Sequence, residues 1–363
     1  MLGLQGKWER RGIVAEHEGQ STAKARSKLP FVIVCLVIVA AAIAALTMFV
    51  LGTQGQEKQS AQSGEANHIE QTVQEPSVEP QYATGVHHVL LIGDDAWVPG
   101  PSRSDLIMLL RVDLDNYVLT EVSIPRDTAH QQPDGSLVKL NSVYESSGPD
   151  ALCEAVSQLT GVQVDQYAAI GFDGLQSIVS YFGGLEVNVP YSITYSFYTH
   201  DYPDEVYQAG EQTLDPWRVM ALSRARTGYT QYGLLEDMMR QIVDRQMLTT
   251  MMGYVLVDSD DPAATAQQLL PFVDTNIPVE DVLNWIEALS VADKITVYGT
   301  SGPVDGGIDA SSGLWLTPMY PEKWAELMAV VEQGGDPSTV NVQLDSTLQS
   351  DHAPINTTTI LEL

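Results

Sequence analysis

Apolar residues between Val86 and Ile124 come in three short runs, HHVLLIG (His87–Gly93), DLIMLLRVD (Asp105–Asp113) and YVLTEVSI (Tyr117–Ile124), separated by turn-forming residues. Runs this short and rich in β-branched residues predict strands. Their near-continuous apolarity predicts that at least one is buried on both faces. Further along, the apolar period lengthens to that of a helix. PDALCEAVSQLTG (Pro149–Gly161) ends on a glycine stop signal, and DGLQSIVSYFGG (Asp173–Gly184) opens on an aspartate and closes on two glycines. DPWRVMALSR (Asp215–Arg224) has Asp215 where an N-cap belongs and Pro216 at the first helical position. Three more amphipathic helices are predicted at 234–256, 279–291 and 321–335. Strands mixed with helices predict an α/β fold: one domain over residues 86–335 with a central mixed β-sheet flanked by helices. Residues 336–363 are expected to form a polar C-terminal tail.

Upstream of Val86 the pattern is different in kind. FVIVCLVIVAAAIAALTMFVL (Phe31–Leu51) runs for 21 residues without a charge. At 1.5 Å per residue such a helix spans about 30 Å, the thickness of a bilayer's hydrocarbon layer. The apolar part of a cleaved signal peptide is only ~7–15 residues long, so 31–51 is expected to be an uncleaved transmembrane helix. Residues 52–85 are dominated by Gln, Glu, Ser and Gly without apolar periodicity, and are expected to be a flexible linker.

Charge gives this arrangement a direction. The formal net charge is −29, yet residues 1–30 sum to +3 and the residues after the apolar span to −32. By the positive-inside rule, 1–30 is cytoplasmic and the large C-terminal part lies outside. So acidic an exterior argues against nucleic acid as a partner. Cys35 sits in the span and Cys153 stands alone after it, so no disulfide framework is expected and the domain must be held by its own core.

In so acidic a chain, the positions of the cations carry information. Beyond the linker there are three lysines and eight arginines, and arginine suits bidentate binding of phosphate and carboxylate. Arg103 (in RSD) precedes a predicted strand, Arg126 (in SIPRDT) ends one, and Arg224 and Arg226 (RAR) follow a predicted helix. If that last segment is extended, the two side chains point the same way and form a fork. Arg240 lies three residues after Asp237, on one helix face. Any one of these arginines is accounted for as a surface ion-pair partner. As a set at element ends they point to a polyanion site, because ligands of α/β folds sit at strand carboxyl ends. Asp94 and Asp95 end the first strand, and Asp105 and Asp127 lie beside these arginines. Mg²⁺ takes one or two carboxylates together with substrate phosphate oxygens. Asp95 and Asp105 therefore either hold a metal bridged to a phosphate, or cap a turn (Asp95) and pair with Arg103 (Asp105).

In order and spacing, VLLIGDDA, RSDLIMLL, SIPRDT, VKLNSVY, GFDGLQSIVSYFGGLEV and ALSRART closely resemble the LytR–CpsA–Psr family, over residues 86–335. The resemblance implies a membrane-anchored, extracytoplasmic phosphotransferase. Such proteins move a glycopolymer from a polyprenyl-pyrophosphate carrier to peptidoglycan, usually the C6 hydroxyl of muramic acid, leaving a phosphodiester. Carried over by motif, Arg103, Arg126, Arg224, Arg226 and Arg240 clamp the pyrophosphate, with Asp237 on the same helix as Arg240. Lys139 and Asn141 lie near the head group, and Asp95 and Asp105 bind Mg²⁺ or Mn²⁺. Phosphoryl transfer depends on positioning and charge neutralisation, so Arg126 and Asp105 are implied as catalytic, and Asp127 as the group that orients or deprotonates the attacking hydroxyl. The polyprenyl tail needs an apolar slot. Leu175–Phe182 and the Met-rich helix after Leu234 are candidates to line it, although such stripes equally build plain core. One departure stands out in GLLEDMMRQIVDRQ (Gly233–Gln246). Asp237 and Arg240 keep the family's Asp-x-x-Arg spacing, but Gly233-Leu234 stands where Gly-Asp is usual and the later Arg-Gln is displaced to Arg245-Gln246.

Other classes are less well served by the sequence. STAK (Ser21–Lys24) fits the S-x-x-K of a penicillin-binding protein but lies on the cytoplasmic side of the expected anchor. The seven histidines form no zinc motif, and no Walker A loop is present. The alternatives are a non-catalytic anchored protein that holds or senses polyprenyl phosphates, which the loss of Gly-Asp leaves open, and a hydrolase using water as acceptor.

Overall fold

The computed structural model describes residues 82–95, 102–196, 202–232, 236–342 and 354–363, all within one compact unit, Val78–Leu363. The expected anchor at 31–51, the segment before it and the linker up to Gln81 lie outside the described residues. Among the described residues no helix is long and apolar enough to cross a membrane.

The three predicted strands are β1 (Val86–Asp94), β2 (Ser104–Asp113) and β3 (Val118–Ser123), which run antiparallel in succession. The hairpin β4 (Ala129–Gln131) and β5 (Leu137–Lys139) leads into helix α1 (Leu140–Thr160), which is interrupted at Gly148-Pro149. β6 (Gln166–Ile170) returns parallel to β1 and feeds α2 (Phe172–Phe182). β7 (Leu185–Val189), β8 (Ile193–Tyr195), β9 (Glu205–Tyr207) and β10 (Gly210–Leu214) make two small ribbons, β7 with β10 and β8 with β9. Helices α3 (Pro216–Ser223), α4 (Glu236–Leu256) and α5 (Pro262–Leu269) follow, then β11 (Asp274–Thr275) and α6 (Val279–Leu289). β12 (Lys294–Ser301), the hairpin β13 (Gly307–Ile308) and β14 (Trp315–Leu316), α7 (Pro321–Val331) and β15 (Thr357–Glu362) complete the described chain.

Seven strands form the central sheet in the order β11-β6-β1-β2-β3-β12-β15, with parallel pairs at β1/β6 and β3/β12 and antiparallel pairs elsewhere. The period-2 alternation of a strand assigns its two faces. Ile107 and Leu109 of β2 pack with Leu90, Leu152, Trp324 and Leu327 beneath α1 and α7. Met108, Leu110 and Val112 face the opposite side, towards α4, α5 and α6. Burying a Leu or Ile side chain contributes ~1.5–3 kcal/mol, so these strands are anchored from both faces. Asp215 caps α3 as expected, its carboxylate accepting from Arg218 N–H at 3.0 Å.

Of residues 336–363, expected to be a polar tail beyond the domain, the described ones, 336–342 and 354–363, contribute to the fold instead. Val340, Val342 and Ile355 are buried, and β15 pairs antiparallel with β12 from Lys294↔Glu362 to Gly299↔Thr357. The segment reads as polar because an edge strand covers apolar neighbours with alternate residues only.

Candidate functional site

The site is assembled at one end of the sheet. Arg126 lies in the turn that leaves β3, and backbone contacts hold that turn from three directions. Thr128 N–H donates to Pro125 O at 2.9 Å, Asn141 N–H to Arg126 O at 3.1 Å, and Thr317 N–H to Asp127 O at 2.9 Å. Asp95 and Asp105 come from the facing ends of β1 and β2, where Asp95 N–H donates to Arg103 O at 3.1 Å. Asp237 and Arg240 come from the first turns of α4.

These groups meet. The Arg126 guanidinium is ion-paired to Asp105 and lies 3.6 Å from Asp237 Oδ1 through Nε. Arg240 donates to Asp237 Oδ1 at 3.0 Å and to Asp244 Oδ2 at 3.2 Å, and Gln241 donates to Asp237 Oδ2 at 2.9 Å. Burial pushes the Asp237 carboxyl up, but Arg240 and Arg126 outweigh it and hold it below the usual carboxylate range. Asp244 has the opposite balance. Burial, with the Asp237 and Asp105 charges, pushes it up to about 7 against the pull of Arg240 and Arg245. Two guanidinium nitrogens, Arg126 Nε and Arg240 Nε, are buried without a hydrogen-bond acceptor among the described residues. A buried orphan donor costs ~1–3 kcal/mol, a cost that an entering anion's oxygens would relieve.

Asp95 accepts from Arg103 N–H at 2.7 Å, so it does close the turn. Its carboxyl is nonetheless raised, first by burial and then by the neighbouring Asp105 and Asp94 charges, against the pull of that N–H. Hard carboxylate oxygens crowded in this way suit a small divalent cation, so the residues present fit Mg²⁺. Asp105 pairs with Arg126 rather than with Arg103. Arg103 turns outward to Glu145 at 3.2 Å with its side chain 60% exposed, and stands apart from the Arg126–Arg240 cluster. Among the described residues no group of three or more His, Cys, Asp or Glu forms a metal cluster. His88 meets Glu332 at 2.9 Å and His87 stacks on Trp285.

Beneath the cluster lies a cavity of about 420 Å³ between the sheet and α2, α4, α5 and α6. Asp105, Arg224, Arg240 and Asp244 line it at one end, and the remainder is almost wholly apolar. Leu106, Met108, Leu110 and Val112 follow it along β2. At ~3.4 Å per strand residue, Asp105 to Val112 gives a length of about 24 Å. Leu175 and Ile178 of α2 and Met247, Met251 and Met252 of α4 line it, so part of both stripes singled out in the sequence faces this space. The residues from α5 and α6, Leu269, Trp285 and Leu289 among them, carried no signal beyond ordinary helix amphipathicity.

Arg224 reaches the cavity mouth and stacks over Phe172, 4.8 Å from its ring centroid. The expected extended fork with Arg226 does not form at Arg224, which closes α3 in the αR conformation. Ala225 between them is fully buried and Arg226 half-buried. Lys139 pairs with Asp127 at 2.7 Å, flanking Arg126, and Asn141 is buried at the start of α1. Arg245 lies in the core, donating to Ser123 Oγ at 2.8 Å, Ser301 Oγ at 3.0 Å and Ile355 O at 2.6 Å. It acts as a structural pin. Asp244 and Gln241, which hold Arg240 and Asp237, were not singled out in the sequence; their only signal is i+4 spacing on α4.

An α/β domain whose apolar cavity opens on paired arginines and carboxylates defines a class of proteins suited to an amphiphile with an anionic head. Comparison narrows the class: the LytR_cpsA_psr family matches residues 47–317, and the chain belongs to that family. A curated relative, the polyisoprenyl-teichoic acid–peptidoglycan teichoic acid transferase TagV of Bacillus subtilis (strain 168), is 29% identical over 127 residues, 34% of this chain and 32% of its own length. The probable cell wall biosynthesis protein LcpB of Corynebacterium glutamicum is 34% identical over 142 residues, 39% of this chain and 32% of its own length. The chain thus matches about a third of the length of these relatives. The crystal structure of B. subtilis TagV shares the fold with a TM-score of 0.56 at 22% identity, covering 67% of this chain and 96% of that one. TagT bound to LIIa-WTA does so with a TM-score of 0.54 at 18% identity, covering 74% and 99%.

Proposed function

We propose that the protein transfers a glycopolymer from a polyprenyl-pyrophosphate carrier to peptidoglycan, outside the membrane to which residues 31–51 anchor it. The observation that carries this reading is the apolar cavity opening on the Arg126–Arg240 cluster. The cavity suits an isoprenoid tail, and the guanidiniums suit its pyrophosphate. The names of the relatives, teichoic acid transferases and a cell wall biosynthesis protein, support it.

In this reading an acceptor hydroxyl, that of muramic acid C6, attacks the phosphorus nearest the glycopolymer. A new P–O bond forms, the P–O–P anhydride breaks, and polyprenyl monophosphate departs while the product keeps a phosphodiester. Arg126, Arg224 and Arg240 neutralise the charge that builds on the phosphoryl oxygens and the leaving phosphate. Arg226, two residues beyond Arg224, and the solvent-facing Arg103 bind the extended head group once the substrate is seated. Asp127, held by Lys139, orients the hydroxyl and receives its proton. Asp95 and Asp105 would hold Mg²⁺, which supplies further charge neutralisation when bound. An anion binding Arg126 competes with its Asp105 ion pair and leaves that carboxylate free for a cation.

The test is transfer by the full chain in nanodiscs, supplied with Mg²⁺, a lipid-linked glycopolymer and peptidoglycan fragments, beside Arg126→Ala. A phosphodiester-linked product that drops at least 100-fold in the variant is expected. Tight lipid binding without product, on acceptors proven with another transferase, would replace this reading with a binding or regulatory protein. Free phosphorylated glycan would replace it with hydrolysis.

A further inference from the structure

The hairpin between β12 and α7 has no part in the reading above. Register pairs Ile308 opposite Trp315, so these side chains share one face of the ribbon, while Leu316 is buried on the other. On the open face Ile308 is 69% and Trp315 41% exposed, with Leu314 and Met319 exposed nearby. Trp315 is held in place nonetheless. A Cβ at Gly306 would fall within its benzo ring, so only glycine lets the indole lie against the backbone there. One ring face is covered and the other is open. The electron-rich face of an aromatic ring attracts polarised C–H groups, which makes a fixed, open indole a stacking platform.

Backbone bonds tie this platform to the site. Thr317, two residues beyond Trp315, donates N–H to Asp127 O at 2.9 Å and accepts from Ala129 N–H at 2.8 Å. Trp315 therefore stands about 7 Å along the strand from the bridge to the Arg126–Asp127 turn. Charge then selects among partners with apolar surface. Residues 302–320 contain two aspartates and no Lys or Arg. Asp309 closes its turn on Ser311 and Ser312, and Asp305 accepts from Tyr320 Oη at 3.1 Å. An anionic lipid surface or a phosphate-bearing polymer is repelled by such a rim. A neutral sugar offers C–H faces to the indole and hydroxyl and amide donors to the carboxylates.

We infer that the Ile308–Trp315 face binds the glycan strand of the acceptor, a polymer of N-acetylated amino-sugar rings that carries no phosphate, stacked on the indole beside the Arg126–Asp127 turn. This rests on the transfer reading, but its direct test does not. The full chain in nanodiscs is titrated calorimetrically with a hexamer of β-1,4-linked N-acetylglucosamine, an uncharged probe that cannot be a donor. Trp315→Ala and Ile308→Asn are expected to weaken binding at least tenfold, and Trp315→Phe to stay within threefold of wild type. Ile308→Asn keeps the test open if Trp315→Ala melts early, because Ile308 is mostly in solvent. In the transfer assay the same variants are expected to raise the acceptor KM while leaving the donor KM unchanged. Hexamer binding by wild type without any transfer would uphold this site and sink the transfer reading. No hexamer binding, or binding indifferent to both substitutions, overturns the inference. So does quenching of Trp315 by brominated lipid with hexamer binding unchanged in the variants, which would make this face a membrane contact.

Discussion

At the residue scale, what matters is which carboxylate each arginine meets and how far both are from water. Arg126 is the best-placed cation, bridging Asp105 from β2 and Asp237 from α4. Lysine keeps its charge but not its planar fork. Arg126→Lys should therefore lower affinity for a polyprenyl pyrophosphate ~10- to 100-fold, the equivalent of one charge-assisted hydrogen bond, read by titration in nanodiscs. Glu121 gives a pH prediction. It is 1% exposed, and burial raises its carboxyl to about 8 from 4.5, against the pull of Arg245 and the Thr249 hydroxyl. A carboxyl raised in the folded state leaves stability fully present below about 4.5, with loss continuing as pH rises to about 8. Wild type should thus lose several kcal/mol, at most about 5, between those limits relative to Glu121→Gln, measured by thermal melts at pH 5 and pH 8.5. Arg126, Asp105, Asp237 and Arg240 were legible because cations are scarce in this chain. Asp244 and Glu121 were not, because a carboxylate among 47 acidic residues carries no mark of the burial that makes it unusual.

At the element scale, the decisive unexpected feature is β15. It covers the outer edge of β12, and Ile355 just before it accepts from the buried Arg245 guanidinium. Truncation after Val342 would remove the strand, leave that donor unmatched and open a sheet edge to association. We expect a loss on the order of 3 kcal/mol or more in a denaturant titration, with aggregation visible by light scattering. The strands β1 to β3 and the helices were legible from apolar period and caps. β12 was not, because KITVYGTS (Lys294–Ser301) interleaves polar residues that the sheet buries: Thr300 bonds Asn356 Oδ1 at 2.7 Å and Ser301 bonds Arg245.

At the scale of the molecule, the sheet and helices enclose a space that they do not fill. Protein interiors are otherwise close-packed, so filling this cavity should separate stability from lipid binding. Ala168 lines it from β6, and Ala168→Phe is expected to leave the melting temperature unchanged or higher while reducing retention of polyprenyl phosphate at least tenfold, read by native mass spectrometry. The sequence by itself determined the α/β class, the strand that carries Asp105 and the one that leads into Arg126, the family, and the scarcity of positive charge that made the arginines readable. Those properties are local or compositional, written in the period of apolar residues and in residue type. Only the tertiary structure decided that Arg103 faces solvent while Arg240 is buried, that Arg245 pins the core, that residues 354–363 complete the sheet, and that the β2, α4, α5 and α6 faces leave a slot between them. Each of those depends on contacts between residues far apart in the chain, and apolar periodicity tells which side of an element is buried but not what it is buried against.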